Sequence, residues 1–419
     1  MFHVKKITQI ARQLLLTLCF LLTITFVWQG VFLASTSSAI AATVDERAQP
    51  IDSSSQDTER TQSNTIVAGD GELRNPGQTL PETGRGFEGD DNWRFIGNAK
   101  FFDANTAEAM IERFESQERL EPQLNEEEEP DPEMDLMVAV NARDGRMYEQ
   151  LKITQPRSVD TQPSNSDNLG IANEPPVLPI IVGEDSRQVY LDMKSYPERT
   201  IGGIAPKNSQ TSTCSGALVG PRHVLTAAHC IHPGGGGNDK FFPNQGFAPG
   251  WKGKGNTLNE KPNGHYSPVW YYVPERWLKK HDSRYDYAVI VLENNSFLRT
   301  LGYLGTNTGT VVNLTQRSIK TRGYPGWNGQ CKASPIESGD NKGKCYNYMY
   351  GMTCTGIGVG PFRFSSNCDI QKGQSGSPIF KGDNKIYGIV IHDGSVFNWA
   401  RKMRSDVQNK IQQARSKDP

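Results

Sequence analysis

The sequence predicts an all-β domain over residues 180–419, closed by one C-terminal helix and preceded by a largely disordered acidic segment. From Ile180 onward, short runs of β-branched and aromatic residues alternate with Gly, Pro and Asn. "CSGALVG" (214–220), "YDYAVIVL" (285–292), "SIKTRGYPG" (318–326) and "KIYGIVIHDG" (385–394) read as strands. Helical spacing occurs in this half only over Asn398–Ala414, where Met403, Val407, Ile411 and Ala414 share one face. Many short strands with one terminal helix describe barrels or a sandwich.

The leader comes first. Lys5, Lys6 and Arg12 precede a long apolar run, and Ala39-Ile40-Ala41 places small residues for cleavage before Ala42. This is the pattern of a secretory signal over residues 1–41. The apolar run also has the length of an uncleaved anchor, so that alternative stays open. No second run of membrane length follows, so no membrane association is expected after signal cleavage.

Residues 42–179 differ from everything after them. Residues 43–180 carry 29 acidic and 12 basic side chains, and residues 181–419 carry 17 and 30, so a net charge of −1 hides halves of −17 and +13. The acidic half is poor in aromatic residues and peaks at "NEEEEPDPEMD" (125–135), a composition that buries too little apolar surface to offset chain entropy. Thr106–Leu120 alone shows helix-like spacing, at Met110, Ile111 and Phe114. The position of residues 42–179 between a signal and a β domain of opposite charge points to an acidic pro-segment; a solvated linker is the alternative. The basic residues are scattered and no recognition motif accompanies them, so no nucleic-acid partner is expected.

Seven cysteines occur. Cys19 lies in the signal, and the other six, between 214 and 368, form an even set suited to disulfides in an extracellular or periplasmic compartment. No C-x2-C pair exists, and neither a metal nor another cofactor is expected. A Cys214–Cys230 bridge would fix the residue between the strand and Cys230. Cys331, Cys345, Cys354 and Cys368 allow three pairings, of which Cys331–Cys345 with Cys354–Cys368 closes short loops.

Three residues carry chemistry. His229, in "HVLTAAHC" (223–230), follows a strand directly, and rigid placement is what a general base needs. Asp286 opens an otherwise apolar strand, an odd place for a structural carboxylate but suited to accepting an imidazole N–H. Ser375 sits on a glycine-flanked turn in "CDIQKGQSGSPIF" (368–380), where the N–H groups of Gly373 and Ser375 would converge as an oxyanion hole. The order His, Asp, Ser, with separations of 57 and 89 residues, is not that of the α/β-hydrolases. It is the order of a serine endopeptidase with a chymotrypsin-like double six-stranded β-barrel, acting through an acyl-enzyme on proteins or peptides. The rival class is a catalytically silent binding protein on the same scaffold, which usually lacks the histidine or the serine.

Over about residues 180–415 the sequence resembles the bacterial glutamyl endopeptidases. "IIVGEDSR" (180–187), "TAAHC", "WYYVPERW", "YDYAVIVL", "GYPG" (323–326), the serine segment, "IVIHDGS" and the terminal "NWARKMRSDVQNKI" follow in that family's order. The resemblance implies a secreted zymogen, expected to be monomeric, that cleaves after Glu or Asp. Gln374 stands where trypsin-type enzymes place the aspartate that pairs with a freed N-terminal amine, so that switch cannot operate. The resemblance implies instead that a pro-segment is removed and the new N-terminus packs near the specificity pocket. It also implies His392 as a pocket residue that would donate to a glutamate. Asp369, six residues before Ser375, would select Lys or Arg in a trypsin-like pocket, so cleavage after Lys or Arg is the alternative, and Asp393 departs from the smaller residue expected beside His392.

Overall fold

The computed structural model describes residues 87, 89–103, 106, 136–151, 181, 184–236, 240–254, 257–307, 314–326, 330–340, 342–392 and 398–418. The expected signal, nearly all of the helix-like stretch from Thr106, and the processing region before Ile181 lie outside them. All of the described residues belong to one compact unit.

Four strands come from the acidic half: β1 (Trp93–Asn98), β2 (Lys100–Phe101), β3 (Met137–Asn141) and β4 (Arg146–Gln150). These two stretches are the ordered parts of a segment expected to be largely disordered. The cause is local. Asn141 accepts hydrogen bonds from the N–H groups of Arg143 and Asp144 through Oδ1, and Gly145 turns the chain at φ +79° and donates to the Asn141 carbonyl. The turn pairs "MVAVN" with "RMYEQ". Composition averaged over the whole acidic half hides a hairpin this short.

After β5 (Gln188–Tyr190), the first barrel runs through β6 (Ile201–Ala205), β7 (Cys214–Gly220), β8 (His223–Thr226), β9 (Lys240–Phe241), β10 (Gly246–Pro249), β11 (Lys252–Lys254), β12 (Thr257–Glu260), β13 (Pro268–Pro274), the short helix α1 (Glu275–Lys280) and β14 (Ala288–Leu292). Its strand order is β13-β14-β8-β7-β6-β10. The backbones of Phe247 and Tyr266 exchange bonds of 3.0 and 2.9 Å and close the circle at six strands. All residues of β7, β8, β13 and β14 are buried, the polar Ser215, His223 and Thr226 among them.

Helix α2 (Ser296–Thr300), capped by the Asn295 side chain, leads to β15 (Gly305–Thr306). The second barrel follows: β16 (Ser318–Gly323), β17 (Met349–Val359), β18 (Arg363–Ser366), β19 (Pro378–Phe380), β20 (Lys385–His392) and β21 (Asn398–Lys402). Pairing runs β20-β19-β16-β17-β18-β21, and β21 returns to β20, so this barrel also closes at six. The chain ends in α3 (Ser405–Lys417).

The terminal helix, expected from Asn398, begins only at Ser405. Residues 398–402 form the closing strand, bonded to β18 on one side and β20 on the other. A strand flanked by two partners satisfies its backbone through the sheet, and that outweighs a helical spacing of side chains. The helix itself keeps the expected face, with Val407, Ile411 and Ala414 buried.

Candidate active site

His229 lies on a single 3-10 turn, Ala228–Cys230, directly after β8. Two constraints fix it. Cys214, the first residue of β7, is disulfide-bonded to Cys230, and a nitrogen of the His229 ring lies within 4.8 Å of those sulfurs. Asp286 supplies the second. Its Oδ1 accepts from the His229 backbone N–H at 3.0 Å, and its Oδ2 lies 2.7 Å from Nδ1. The carboxylate thus holds both the turn and the ring. Asp286 follows the 3-10 turn Ser283–Tyr285, whose N-cap Asp282 accepts from the Arg284 N–H, and it stands two residues before β14. Asp286 is 0% and His229 1% exposed, so the pair is shielded from bulk solvent.

Ser375 arrives from the second barrel, between β18 and β19, and is partly exposed. Its carbonyl accepts from the Ser215 backbone N–H at 2.8 Å and lies 3.9 Å from Cys230 Sγ. The Ser215 hydroxyl donates to the Gly373 carbonyl at 2.8 Å and accepts from the Tyr324 N–H at 2.9 Å. Ser215 is next to Cys214, so the serine loop of one barrel is fastened to the strand that carries the disulfide of the other. Sequence reading missed Ser215; nothing distinguishes it within "STCSGALVG".

The turn around Ser375 depends on its glycines. Gly373 has φ +90°, and a Cβ there would come within 2.5 Å of the Gly326 nitrogen and 2.7 Å of the Tyr324 oxygen. Gly376 has φ +80°, and its Cβ would strike the Ser215 carbonyl and the Thr226 hydroxyl. No other residue fits at Gly376, where the two barrels meet, or at Gly373, where the loop crosses the segment that follows β16.

Gln374 is fully buried. Its Oε1 accepts from the Gln371 N–H at 2.9 Å and from Arg187 Nη1 at 3.1 Å. Arg187, itself 2% exposed, also binds Asp185 through Nε at 2.9 Å and Nη2 at 3.0 Å, and the Gln330 carbonyl at 3.3 Å. Burial pushes the Asp185 carboxyl up, but the hydrogen bonds and charge of Arg187 outweigh it and hold Asp185 below its ordinary value. A guanidinium therefore reaches the residue before Ser375 from the segment preceding β5. The sequence reading found the missing aspartate but not this partner, which is 187 residues away.

Asp369 is 1% exposed, and its Oδ2 accepts from the Ser186 N–H at 2.9 Å and the Ser186 hydroxyl at 2.7 Å. His392 ends β20, with its backbone opposite Trp399. The side chain of His392, and Asp393, lie outside the described residues. The other two disulfides are Cys331–Cys345 and Cys354–Cys368. The first braces the loop whose Gln330 carbonyl binds Arg187, and the second ties β17 to the residue before Asp369.

Among the described residues, one group has the composition of a metal site, Cys214, His229 and Cys230. Its donors do not fit a metal. Both sulfurs are joined to each other, so neither offers a thiolate, and Nδ1 of His229 is taken by Asp286.

Residues 196–415 match the trypsin family model, more than half of the chain. The chain is 29% identical over 242 residues to a protein of Bacillus subtilis (strain 168) named "Extracellular metalloprotease", a match that spans 55% of this chain and 68% of that one. It is 28% identical over 258 residues to the "Glutamyl endopeptidase" of Bacillus licheniformis, spanning 57% and 70%. A solved structure of a Glu endopeptidase in complex with MPD aligns over 57% of this chain and all of its own, at 24% identity and a TM-score of 0.47. The two six-stranded barrels and this family match agree: the chain belongs to the trypsin family and is a serine endopeptidase.

Proposed function

We propose that this endopeptidase uses Ser375 as nucleophile, His229 as general base and acid, and Asp286 to orient His229, and that it cleaves after glutamate. The observation that carries the mechanism is the buried His229–Asp286 pair, set against the strand that also holds the Ser375 loop. His229 takes the proton from Ser375 Oγ as that oxygen attacks the scissile carbonyl, then returns it to the leaving amine. With Oδ2 of Asp286 accepting from Nδ1, the proton-accepting nitrogen is Nε2, and the carboxylate stabilises the imidazolium that forms. The N–H groups of Gly373 and Ser375 receive the developing oxyanion, and the acyl-enzyme on Ser375 is then hydrolysed by the same groups.

Glutamate specificity belongs to the pocket. The resemblance to glutamyl endopeptidases favours it, with His392 as the donor to the substrate carboxylate. Cleavage after Lys or Arg requires the Asp369 carboxylate at the pocket base, and that group is buried and occupied by Ser186. A cleavage-site profile on a mixed peptide library, with Ser375→Ala as control, tests the reading. Cuts after Glu, weakened by His392→Ala, are the expected outcome; cuts after Lys or Arg would return the pocket to Asp369.

The chain is further proposed to be exported by its N-terminal signal and matured near 172–183, where "ANEPPVLPIIVG" precedes the segment bearing Ser186 and Arg187. In this scheme Arg187 is a positioning residue for the serine loop, delivering a charge to Gln374 without requiring a free amine. Arg187→Met strips one donor from Gln374 and leaves Asp185 without its cation. A stability loss of about 3 kcal/mol is expected. So is a kcat reduced roughly 10–100-fold with KM much less affected, because a small displacement of the loop misaligns the nucleophile. Unchanged kcat below the melting range would show that Gln374 holds the loop without Arg187.

A further inference from the structure

The described part of the acidic half does not lie loosely on the protease. Strand β3 pairs with β13 in unbroken register over five residues, from Trp270 opposite Asn141 to Pro274 opposite Met137. All five residues of β3 are buried. It extends the first barrel's sheet outward, followed by β4 and β1. Behind this pairing, Phe87, Trp93 and Tyr148 meet Trp270 and Tyr272 in one aromatic cluster, with centroids from 4.5 to 6.1 Å apart. Every member is at most 6% exposed.

Contacts continue around the edge. The Glu275 N–H donates to the Leu136 carbonyl at 2.8 Å and the Ala142 N–H to the Val269 carbonyl at 2.9 Å. Lys410 of α3 donates to Gln150 at 3.0 Å, and Lys417 pairs with Asp90. On another side, β2 runs parallel to β9, and the Phe102 N–H donates to the Phe241 carbonyl at 3.0 Å. Phe242 in turn donates to the carbonyl of Ile231, two residues after His229. The acidic half therefore supports the loop that follows the proposed base.

Taken away, it would leave Trp270 and Tyr272 in water and an unpaired row of backbone groups along β13, an edge open to pairing with other chains. A segment that only masks an active site need not be built into the sheet of its host.

We propose that residues 87–151 are not discarded on maturation: cleavage between Leu151 and Glu184 yields a two-chain enzyme in which this segment stays bound as the outer strands of the first barrel. The inference rests on the processing reading for where the natural cut falls, but the retention itself can be tested apart from it. A site for a sequence-specific protease is placed within residues 152–180 of the full chain carrying Ser375→Ala, which is then cut and passed over a sizing column. Both pieces are expected in one peak at 1:1 by native mass spectrometry, in 1 M salt as well as low salt, and to separate only in denaturant. Elution of the N-terminal piece alone in native buffer would overturn the proposal. Phe87→Ala combined with Trp93→Ala is expected to hasten release of the cut piece; an unchanged release rate would remove the aromatic cluster from the explanation and count against retention through this surface. Mass analysis of naturally secreted Ser375 protein decides the other question. An intact chain there would sink the processing reading, while the engineered cut still reports whether the segment stays.

Discussion

Ser375→Ala is expected to lower kcat by about 10^6-fold, to the level that binding and the oxyanion donors sustain alone. The change removes one oxygen from a partly exposed side chain. The turn around it is held by other groups, because the Ser375 carbonyl binds the Ser215 N–H, the Gly376 N–H binds Val390, and Gly373 is fastened through the Ser215 hydroxyl. The melting temperature is therefore expected to stay within a degree or two of the parent, since a surface change of this size is worth only about 0.5 kcal/mol. Kinetics, thermal unfolding and labelling by a serine-reactive organophosphorus reagent check the point together. Parent protein that is folded and processed yet never labels would favour the silent binding-protein class.

Asp286→Asn is expected to lower kcat by about 10^4-fold while leaving His229 in place. An asparagine oxygen can still accept from the His229 backbone N–H, now 3.0 Å from Oδ1. The amide NH2 would then face Nδ1, where a carboxylate oxygen now sits at 2.7 Å. That reverses the tautomer: Nδ1 must accept, Nε2 carries the proton, and the ring cannot take one from Ser375. The wrong tautomer also loses the carboxylate that stabilises the imidazolium. Activity measured against pH separates this from simple unfolding, because a histidine in the wrong tautomer recovers at high pH, where hydroxide assists, and an unfolded protein does not. Parent-like activity at neutral pH would mean that another group orients His229.

How much of this was legible in the sequence follows from the range of each interaction. His229 beside Cys230, Asp286 at a strand mouth and Ser375 between two glycines each declare themselves within a few residues, because each proposed role demands a particular local backbone. The strands at 214–220 and 385–392 were legible for the same reason. The hairpin at 137–150 was equally local but was lost in a compositional average dominated by its acidic neighbours. Asn398–Lys402 looked helical because helix and strand spacing are hard to separate over five residues, and two flanking strands decided the matter.

By itself, then, the sequence determined an all-β serine protease domain with six paired cysteines, in which His229, Asp286 and Ser375 are the expected triad, since those features are written in neighbouring residues. Tertiary structure alone decided what holds the Ser375 loop and what occupies Asp369. Arg187 reaches Gln374 across 187 positions, Ser186 reaches Asp369 across 183, and the Ser215 hydroxyl reaches Gly373 across 158. Nothing in either partner's neighbourhood announces such a contact. Each exists because two closed barrels, both burying their apolar faces, bring distant loops against one seam, where a buried polar group must find a partner or be costly to bury.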